Sequence, residues 1–572
     1  MLHAGAALFL WQCLRSLNLR YAFLAALLFA IHPVQVESVA WVSERKNVLC
    51  GLFYFAACYA YLKHSGIGDA ISNVSPVAPG GSPGLKSHSP RRWYLLALFL
   101  FFLALLSKTV ACVLPAVMLV TIWYYRGKLT RRDLLRTVPF FILGLGLAVV
   151  TTLIEHGKVG TVGPDWDYST YQRTIIAGRA LWFYVGKLLY PYPLVSIYPR
   201  WWGMDPPAKL FIPFDNILYP LGVLAVVAVL WLLRRRLGRG PVAGVLCFII
   251  MLAPALGFIS FYTMLYTFVA DHYQYLAAAA MLTLFTAAGA WLLGHVQTWL
   301  KTKGTRGQPS LVLTLAPQLL LAALIFSLSW QTFWQGRLYY RTLDLWKYNL
   351  DYNPDCFAVR NNYACNLFLT GQRAECIAQY KYVAEVLRPD DYRAYDNLCR
   401  IYRMSAQTQT QVIDQYLYAL QIFFPDSYQA FAKTYSHYWQ APDEERAAYY
   451  YAQAELRKPV GLVDLQRRAA GVKERGPLPA AARDLLAQGD ALLAKSEARP
   501  TGAAPRQDHA HRAEEYYRQA TQLAPDWPEP WIRLSIALNR QGQETDGRKA
   551  FEKAVKLDPS GRDIILNMGL GQ

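Results

Sequence analysis

Charge is scarce in this chain. Only 17% of its 572 residues are Asp, Glu, Lys or Arg, against 54% hydrophobic, which is too apolar for an ordinary soluble enzyme of this length. Acids are the scarcer sign, 39 against 58 bases, and no carboxylate precedes Glu37. Zinc spacing is missing as well: the nine cysteines form no CxxC pair and have no histidine at metal-ligand spacing, so no metal site is expected. Beyond Gln335 long apolar runs are absent. Before it they dominate, as in Val110 to Tyr125, Val138 to Ile154, Ile217 to Leu233, Val242 to Met264, Tyr273 to Leu293 and Leu311 to Trp330. These approach or reach the ~20 residues that cross a bilayer. The mean hydropathy of +0.14 therefore averages a membrane half and a water-soluble half.

The net charge of +19 does not point to nucleic acid, because many bases fall in short loops beside apolar runs, where they orient a membrane protein. Arg126 to Arg132, Arg234 to Arg236 and Lys301 to Arg306 are read as cytoplasmic. Residues 32 to 47, the loop Glu155 to Gln172, the turn near Ser260 and everything after about Gln335 then lie outside, which predicts a multi-pass inner or plasma membrane protein with an extracytoplasmic repeat domain. Ile175 to Tyr190 breaks this parity and is read as re-entrant or interfacial.

The soluble half carries repeats. From Pro525 to Pro559 the spacing is 34 residues, the tetratricopeptide period, and Trp531, Leu534, Leu538, Gly542, Phe551 and Ala554 fall between them in the order that repeat needs. A second copy runs through Tyr363, Leu367, Gly371, Cys376, Tyr380 and Pro389, and a weaker third through Leu398, Tyr402, Tyr416, Ala419 and Pro425. The fold class is thus all-α, a polytopic transmembrane helical domain followed by a tetratricopeptide-repeat α-solenoid. Residues 1–335 form the membrane domain with about 10–11 apolar helices; 336–475 are repeats, 476–510 a helix and an interruption, and 511–572 the C-terminal repeats. Such stacks bind extended peptide or another protein, or brace their own chain. Cys365 and Cys376 are placed to bridge paired helices or to remain small buried thiols.

The stretch His32 to Lys46 sets four charges between apolar segments. As one continuous helix it would put Glu37, Trp41, Glu44 and Arg45 on one face and Val36, Val39 and Val42 on the other. Glu37 and Glu44 are candidates for orienting an acceptor or sugar, with Arg45 and Lys46 as their partners, or else members of a solvated amphipathic helix. Lys108, between two apolar segments, suits a phosphate or snorkels to the interface. Asp271 and His272 open an apolar helix, as a phosphate-side pair or with Asp271 as an N-cap. Asp165-Trp166-Asp167 spells a DxD string, and Asn73-Val74-Ser75 a glycosylation acceptor; both are read as chance.

HPVQVESVAWVSERKNVL, SKTVACVLP and DHYQYL, in that order before tetratricopeptide repeats, resemble the bacterial relatives of the transmembrane and tetratricopeptide-repeat O-mannosyltransferases. The resemblance implies a GT-C-type helical fold. It also implies inverting transfer of a sugar, expected to be mannose, from a polyprenyl-phosphate donor to a protein hydroxyl on the extracytoplasmic side. The donor is a substrate, so no cofactor is expected; the implied partners are the bilayer, the polyprenyl-phosphate lipid and a protein acceptor on the repeats. In that family an acidic residue in the first outer loop is the catalytic base. The chain resembles relatives from their second helix onward, Leu2 to Leu17, so the base is expected before Met1. Relatives carry Asp where this chain has Asn47, and commonly arginine where it has His272. A non-catalytic membrane-anchored scaffold is the alternative.

Overall fold

The computed structural model describes residues 1–67, 90–154, 166–201, 214–303, 311–387, 397–398, 478–497, 503–541 and 543–557. Among the calls made from sequence, Asn73 to Ser75, Asp165, Pro389, Tyr402, Tyr416, Ala419, Pro425, Gly542 and Pro559 lie outside them. The described residues are helical and turn, with no strand among them. The chain divides into two compact units, Met1–Cys376 and Ile377–Gln572.

The first unit begins with α1 (Leu2–Ser16), α2 (Ala22–Ile31), a short α3 (Val36–Ala40) and α4 (Arg45–His64). It continues through α5 (Pro90–Ser107), α6 (Leu114–Arg126), α7 (Arg131–Ile154), α8 (Thr170–Leu189) and α9 (Leu218–Leu233). α10 (Gly240–Leu252), α11 (Ala277–Lys303) and α12 (Leu311–Leu338) complete the apolar part; α13 (Thr342–Tyr352) and α14 (Phe357–Leu369) follow, and α15 (Arg373–Tyr382) runs over the boundary at Cys376. α4 is the hub, packed against α1 on one side and α5 on the other, while α11 packs on α2 and α10. Close approach depends on glycine. A Cβ on Gly51 of α4 would run into the Tyr275 ring, and one on Gly178 of α8 would sit 2.5 Å from the Pro220 nitrogen of α9. Neither close approach, α4 against the Tyr275 ring or α8 against α9, could be kept with a larger residue there.

Four described helices are long and apolar enough to cross a membrane: Thr109–Arg126, Arg131–Ile154, Ala277–Val296 and Leu315–Leu338. Ala22–Ile31 with Pro33–Ala40, bent by 55°, makes a fifth if taken as one broken span. Their outer faces are bare hydrocarbon. Ile142, Leu319 and Phe326 are each about two-thirds exposed, and α9 is wholly apolar in its middle yet buries none of its residues. Exposed apolar area on this scale needs lipid to cover it. The chain is a membrane protein.

α8 covers the segment read as re-entrant. A capping box starts it, with Ser169 Oγ accepting from Gln172 N at 3.3 Å and Gln172 Oε1 accepting from Ser169 N at 2.8 Å. It buries Ile175, Ala180, Leu181, Tyr184 and Leu188 and carries Arg173, Arg179 and Lys187. Arg173 holds the neighbouring loops through the carbonyls of Trp166, Tyr168 and Gly257 at 2.9, 3.1 and 2.6 Å, and through Ser260 Oγ at 3.0 Å.

The repeat residues fall where the period puts them. Between α14 and α15, Gly371 turns the chain at φ +82°, a left-handed conformation that favours glycine, while Tyr363, Leu367, Cys376 and Tyr380 are buried. In the second unit α16 (Ala480–Glu497), α17 (Ala503–Leu523), α18 (Pro528–Arg540) and α19 (Glu544–Leu557) pack each on the next. Leu534, Leu538, Ala550 and Ala554 are buried there, with Tyr517 fully enclosed beneath Gly489. Cys365 and Cys376 are both free thiols, as are the other described cysteines.

Candidate functional site

The charged stretch does not form one helix. A 3-10 turn over Pro33–Gln35 leads into α3, which ends where Trp41 turns extended (φ −79°, ψ 116°); a second 3-10 turn, Val42–Glu44, then opens into α4. The break corrects the single-face expectation, because a 3.6-residue period does not carry across an extended residue. Glu37 and Glu44 still face one cluster, each with partners of its own, but through a bend and not along one face. Arg45 does not join them: it is exposed and donates from Nε to the Val42 carbonyl at 3.2 Å.

Two carboxylates, two ammonium groups and one imidazole make the centre. Glu37, 3% exposed, accepts from the His272 backbone N–H at 2.8 Å through Oε2, and the same oxygen lies 3.0 Å from His272 Nδ1. Glu44, 5% exposed, takes Lys46 Nζ at 3.0 Å and Lys108 Nζ at 3.7 Å. Lys108 also donates to Asn47 Oδ1 at 2.5 Å, so it points inward and does not snorkel. Asn47 in turn donates to the His272 carbonyl at 3.0 Å and to Ser38 Oγ at 3.2 Å. Trp41 sets the edge of its ring system against His272, centroids 6.5 Å apart.

Asp271 faces a second cluster. It opens a 3-10 turn, Asp271–Gln274, whose N-cap position is Ala270, so it is not the N-cap of the apolar helix. Its buried carboxylate accepts from the Tyr198 hydroxyl at 2.9 and 3.1 Å. Tyr198 meets Phe183 edge to face and lies under the Lys187 ammonium, which donates to the Pro193 carbonyl at 2.5 Å. Neither Tyr198 nor Lys187 was singled out from sequence. Tyr198 reaches Asp271 across 73 residues, while Lys187 acts on it only through its charge, and nothing in the local sequence marks either.

Electrostatics divides the groups by role. Burial, reinforced by the Lys108 charge, pushes His272 down to about 3, so its ring is neutral where its Nδ1 faces Glu37 Oε2 at 3.0 Å. Burial also lowers Lys108, with Glu44 opposing, and raises Asp271 well above the carboxylate range, with the Glu37 charge adding to it. For Glu44 burial alone would raise the carboxyl; His272, Lys108 and Lys46 outweigh it and hold it below the usual range. The centre thus holds an ionised carboxylate against two ammonium groups, beside a neutral imidazole. Such a set can hold a hydroxyl by its proton and meet an anion through Lys108.

Comparison with known proteins gives short matches. Protein O-mannosyl-transferase TMTC4 of Homo sapiens is 38% identical over 89 residues, 16% of this chain and 10% of that protein. Protein O-mannosyl-transferase TMTC3 of Mus musculus is 38% identical over 66 residues, 12% of this chain and 7% of that protein. The chain spans about a tenth of the length of the curated relatives it matches. No family model matches. Among solved structures, yeast Tom70 aligns over 94% of this chain and 91% of its own at 12% identity and a TM-score of 0.22. MamA aligns over 36% of this chain and 94% of its own at 14% identity and a TM-score of 0.19.

No group of three or more His, Cys, Asp or Glu among the described residues can hold a metal. In the DxD string, Trp166 is occupied by the Phe261 carbonyl at 3.2 Å and Asp167 is exposed.

Proposed function

We propose that the protein is a membrane glycosyltransferase that moves a sugar, mannose by resemblance, from a polyprenyl-phosphate donor to a protein hydroxyl on the extracytoplasmic side. One observation carries the reading: Glu37, Glu44, Lys108 and His272, drawn from three separate sequence motifs, meet at one end of an apolar helix bundle. A carboxylate and an ammonium held together at a membrane interface are costly unless they serve a charged or hydroxylated substrate. In this reading Glu37 and Glu44 hold the acceptor hydroxyl, Lys108 and Lys46 neutralise the departing phosphate, and the helix pairs from α13 onward hold the acceptor protein. The short matches to two O-mannosyl-transferases support the reaction class.

The test is transfer of labelled sugar. Full-length protein in vesicles with polyprenyl-phosphate-mannose and membrane-protein acceptors should label acceptor, and Lys108→Met should reduce the rate about 100-fold or more, as loss of one group facing developing charge does elsewhere. No labelling above protein-free vesicles, or Lys108→Met labelling as the wild type does, overturns the reading in favour of a scaffold.

A further inference from the structure

A cavity of about 720 Å³ lies inside the first unit, away from the charged centre. Its walls come from α1, α4, α6, α10 and α11, and none of Glu37, Glu44, Lys108 or His272 lines it. The volume is that of an ordinary ligand pocket. It exists because α10 and α11 face each other there with small residues, among them Gly244, Ala280 and Ala287. Its lining reaches Tyr54 and Phe55 midway along α4 and Arg236 and Gly240 at the α9–α10 turn, which we take as the mouth. Along α10 the lining runs from Gly240 to Met251, about 16 Å at 1.5 Å per residue. That is about half the ~30 Å hydrocarbon thickness, or one leaflet.

The mouth is cationic. Arg234 lies over the Trp231 ring at 4.3 Å and donates to its carbonyl at 2.6 Å, and Arg239 donates to the Trp123 carbonyl at 3.3 Å. The nearby acid of the α6–α7 turn, Asp133, is occupied by Arg126 at 2.9 Å. Arg235 and Arg236 are exposed and pair with no acid among the described residues. An apolar slot about one leaflet long, lined by Arg236 with Arg235 next to it in the chain, neither paired with an acid among the described residues, has the shape and charge of one kind of membrane component.

We infer that the cavity holds an acyl chain of an anionic phospholipid from the leaflet on the arginine side, with the lipid phosphate on Arg235 and Arg236. Guanidinium forks match phosphate oxygens in pairs. The site is distinct from the transferase centre, and it stands or falls without the transfer reaction.

Full-length protein exchanged into nanodiscs of mixed phosphatidylglycerol and phosphatidylcholine, then washed in mild detergent, is read by native mass spectrometry and lipid extraction. Phosphatidylglycerol should be retained in preference to phosphatidylcholine. Arg236→Gln and Arg235→Gln should each cut that preference about fivefold, as expected for one basic residue near an anionic lipid surface. Ala287→Phe fills the slot from an open wall position and should abolish retention of both lipids. Equal retention of the two lipids, retention that survives Ala287→Phe in protein eluting as the wild type does, or a polyprenyl phosphate as the retained lipid overturns the inference. The arginine variants change exposed side chains only, so they decide the matter even where Ala287→Phe fails to fold.

Discussion

Removing the Asn47 side chain should loosen the charged centre more than removing any of the charges on its rim. The amide is 4% exposed and ties together α3 through Ser38, the Lys108 loop and the Asp271–His272 turn. Asn47→Ala deletes two neutral hydrogen bonds at about 1 kcal/mol each and one from an ammonium at about 2 kcal/mol, about 4 kcal/mol together. Unfolding entropy of about 2.1 cal/mol/K per residue, applied to the unit Met1–Cys376, gives about 0.8 kcal/mol/K, so the loss lowers Tm by about 5 °C. The assay is thermal unfolding of full-length protein in detergent, followed by tryptophan fluorescence. Arg45→Ala is the control. Its side chain is exposed and its cost should stay within ~0.5 kcal/mol, below 1 °C. Asn47→Asp keeps an acceptor for Lys108 but cannot donate to the His272 carbonyl, so it should fall between the two. If Asn47→Ala moves Tm no more than Arg45→Ala does, the amide is not the tie that its geometry describes.

His272 gives a pH dependence. Its folded value of about 3 lies below the ordinary 6.5, so the unfolded chain binds the extra proton between those limits; this group's contribution is full above pH 6.5 and is lost as pH falls toward 3, at up to about 1.4 kcal/mol per unit. Stability measured between pH 4 and 7 should show a shallower slope in His272→Gln, and an unchanged slope would show that the ring is not held neutral. Arg173→Lys keeps the charge but loses the fork that holds four loop groups; limited proteolysis should cut near Ser260 faster than in wild type, at a cost of about 2 to 3 kcal/mol. In the second unit, a Cβ at position 489 collides with the Tyr517 ring, so Gly489→Ala should cost about 1 to 3 kcal/mol by overpacking, read as earlier loss of helical circular dichroism.

How much of this was legible in the sequence depends on the range of the contacts. Leu534, Leu538 and Ala554, or Tyr363 and Leu367, are spaced by the helix period and pack against neighbouring helices, so period alone finds them. Glu37, Lys108 and His272 stood out because charge among apolar residues is costly, and the structure gathers all three. The geometry between them was not legible. Treating residues 37 to 45 as one helix drew Arg45 into the site and missed the extended residue at Trp41, which no local composition marks. At the Asn47 position the resemblance puts an acid, and the sequence alone gives the amide no role. In the structure its value is the pair of protons that an acid lacks, given to Ser38 and to a carbonyl 225 residues away. Tyr198 and Asp271 stand 73 residues apart and share no motif.

The placement of the two carboxylates follows from where helices begin. Glu44 is the residue before α4 and Glu37 accepts the His272 N–H in the turn that leads toward α11, so both acids sit at the amino ends of helical segments, where unpaired N–H groups carry partial positive charge. Lys108 enters the same space from a turn that follows a helix carboxyl end, where a cation is favoured. Lys108 is also the N-cap of the 3-10 turn Thr109–Val113, where a cation is disfavoured, so backbone dipoles support the two acids before the side chains pair but not Lys108 alone. Glu44 lies closer to Lys46, at 3.0 Å, than to Lys108, at 3.7 Å. An incoming anion can take Lys108 from Glu44 while Glu44 keeps its shorter contact with Lys46. Under the proposed transfer, the exchange would leave Glu44 paired with Lys46 while a phosphate occupied Lys108, so that carboxylate would not be left buried without a partner.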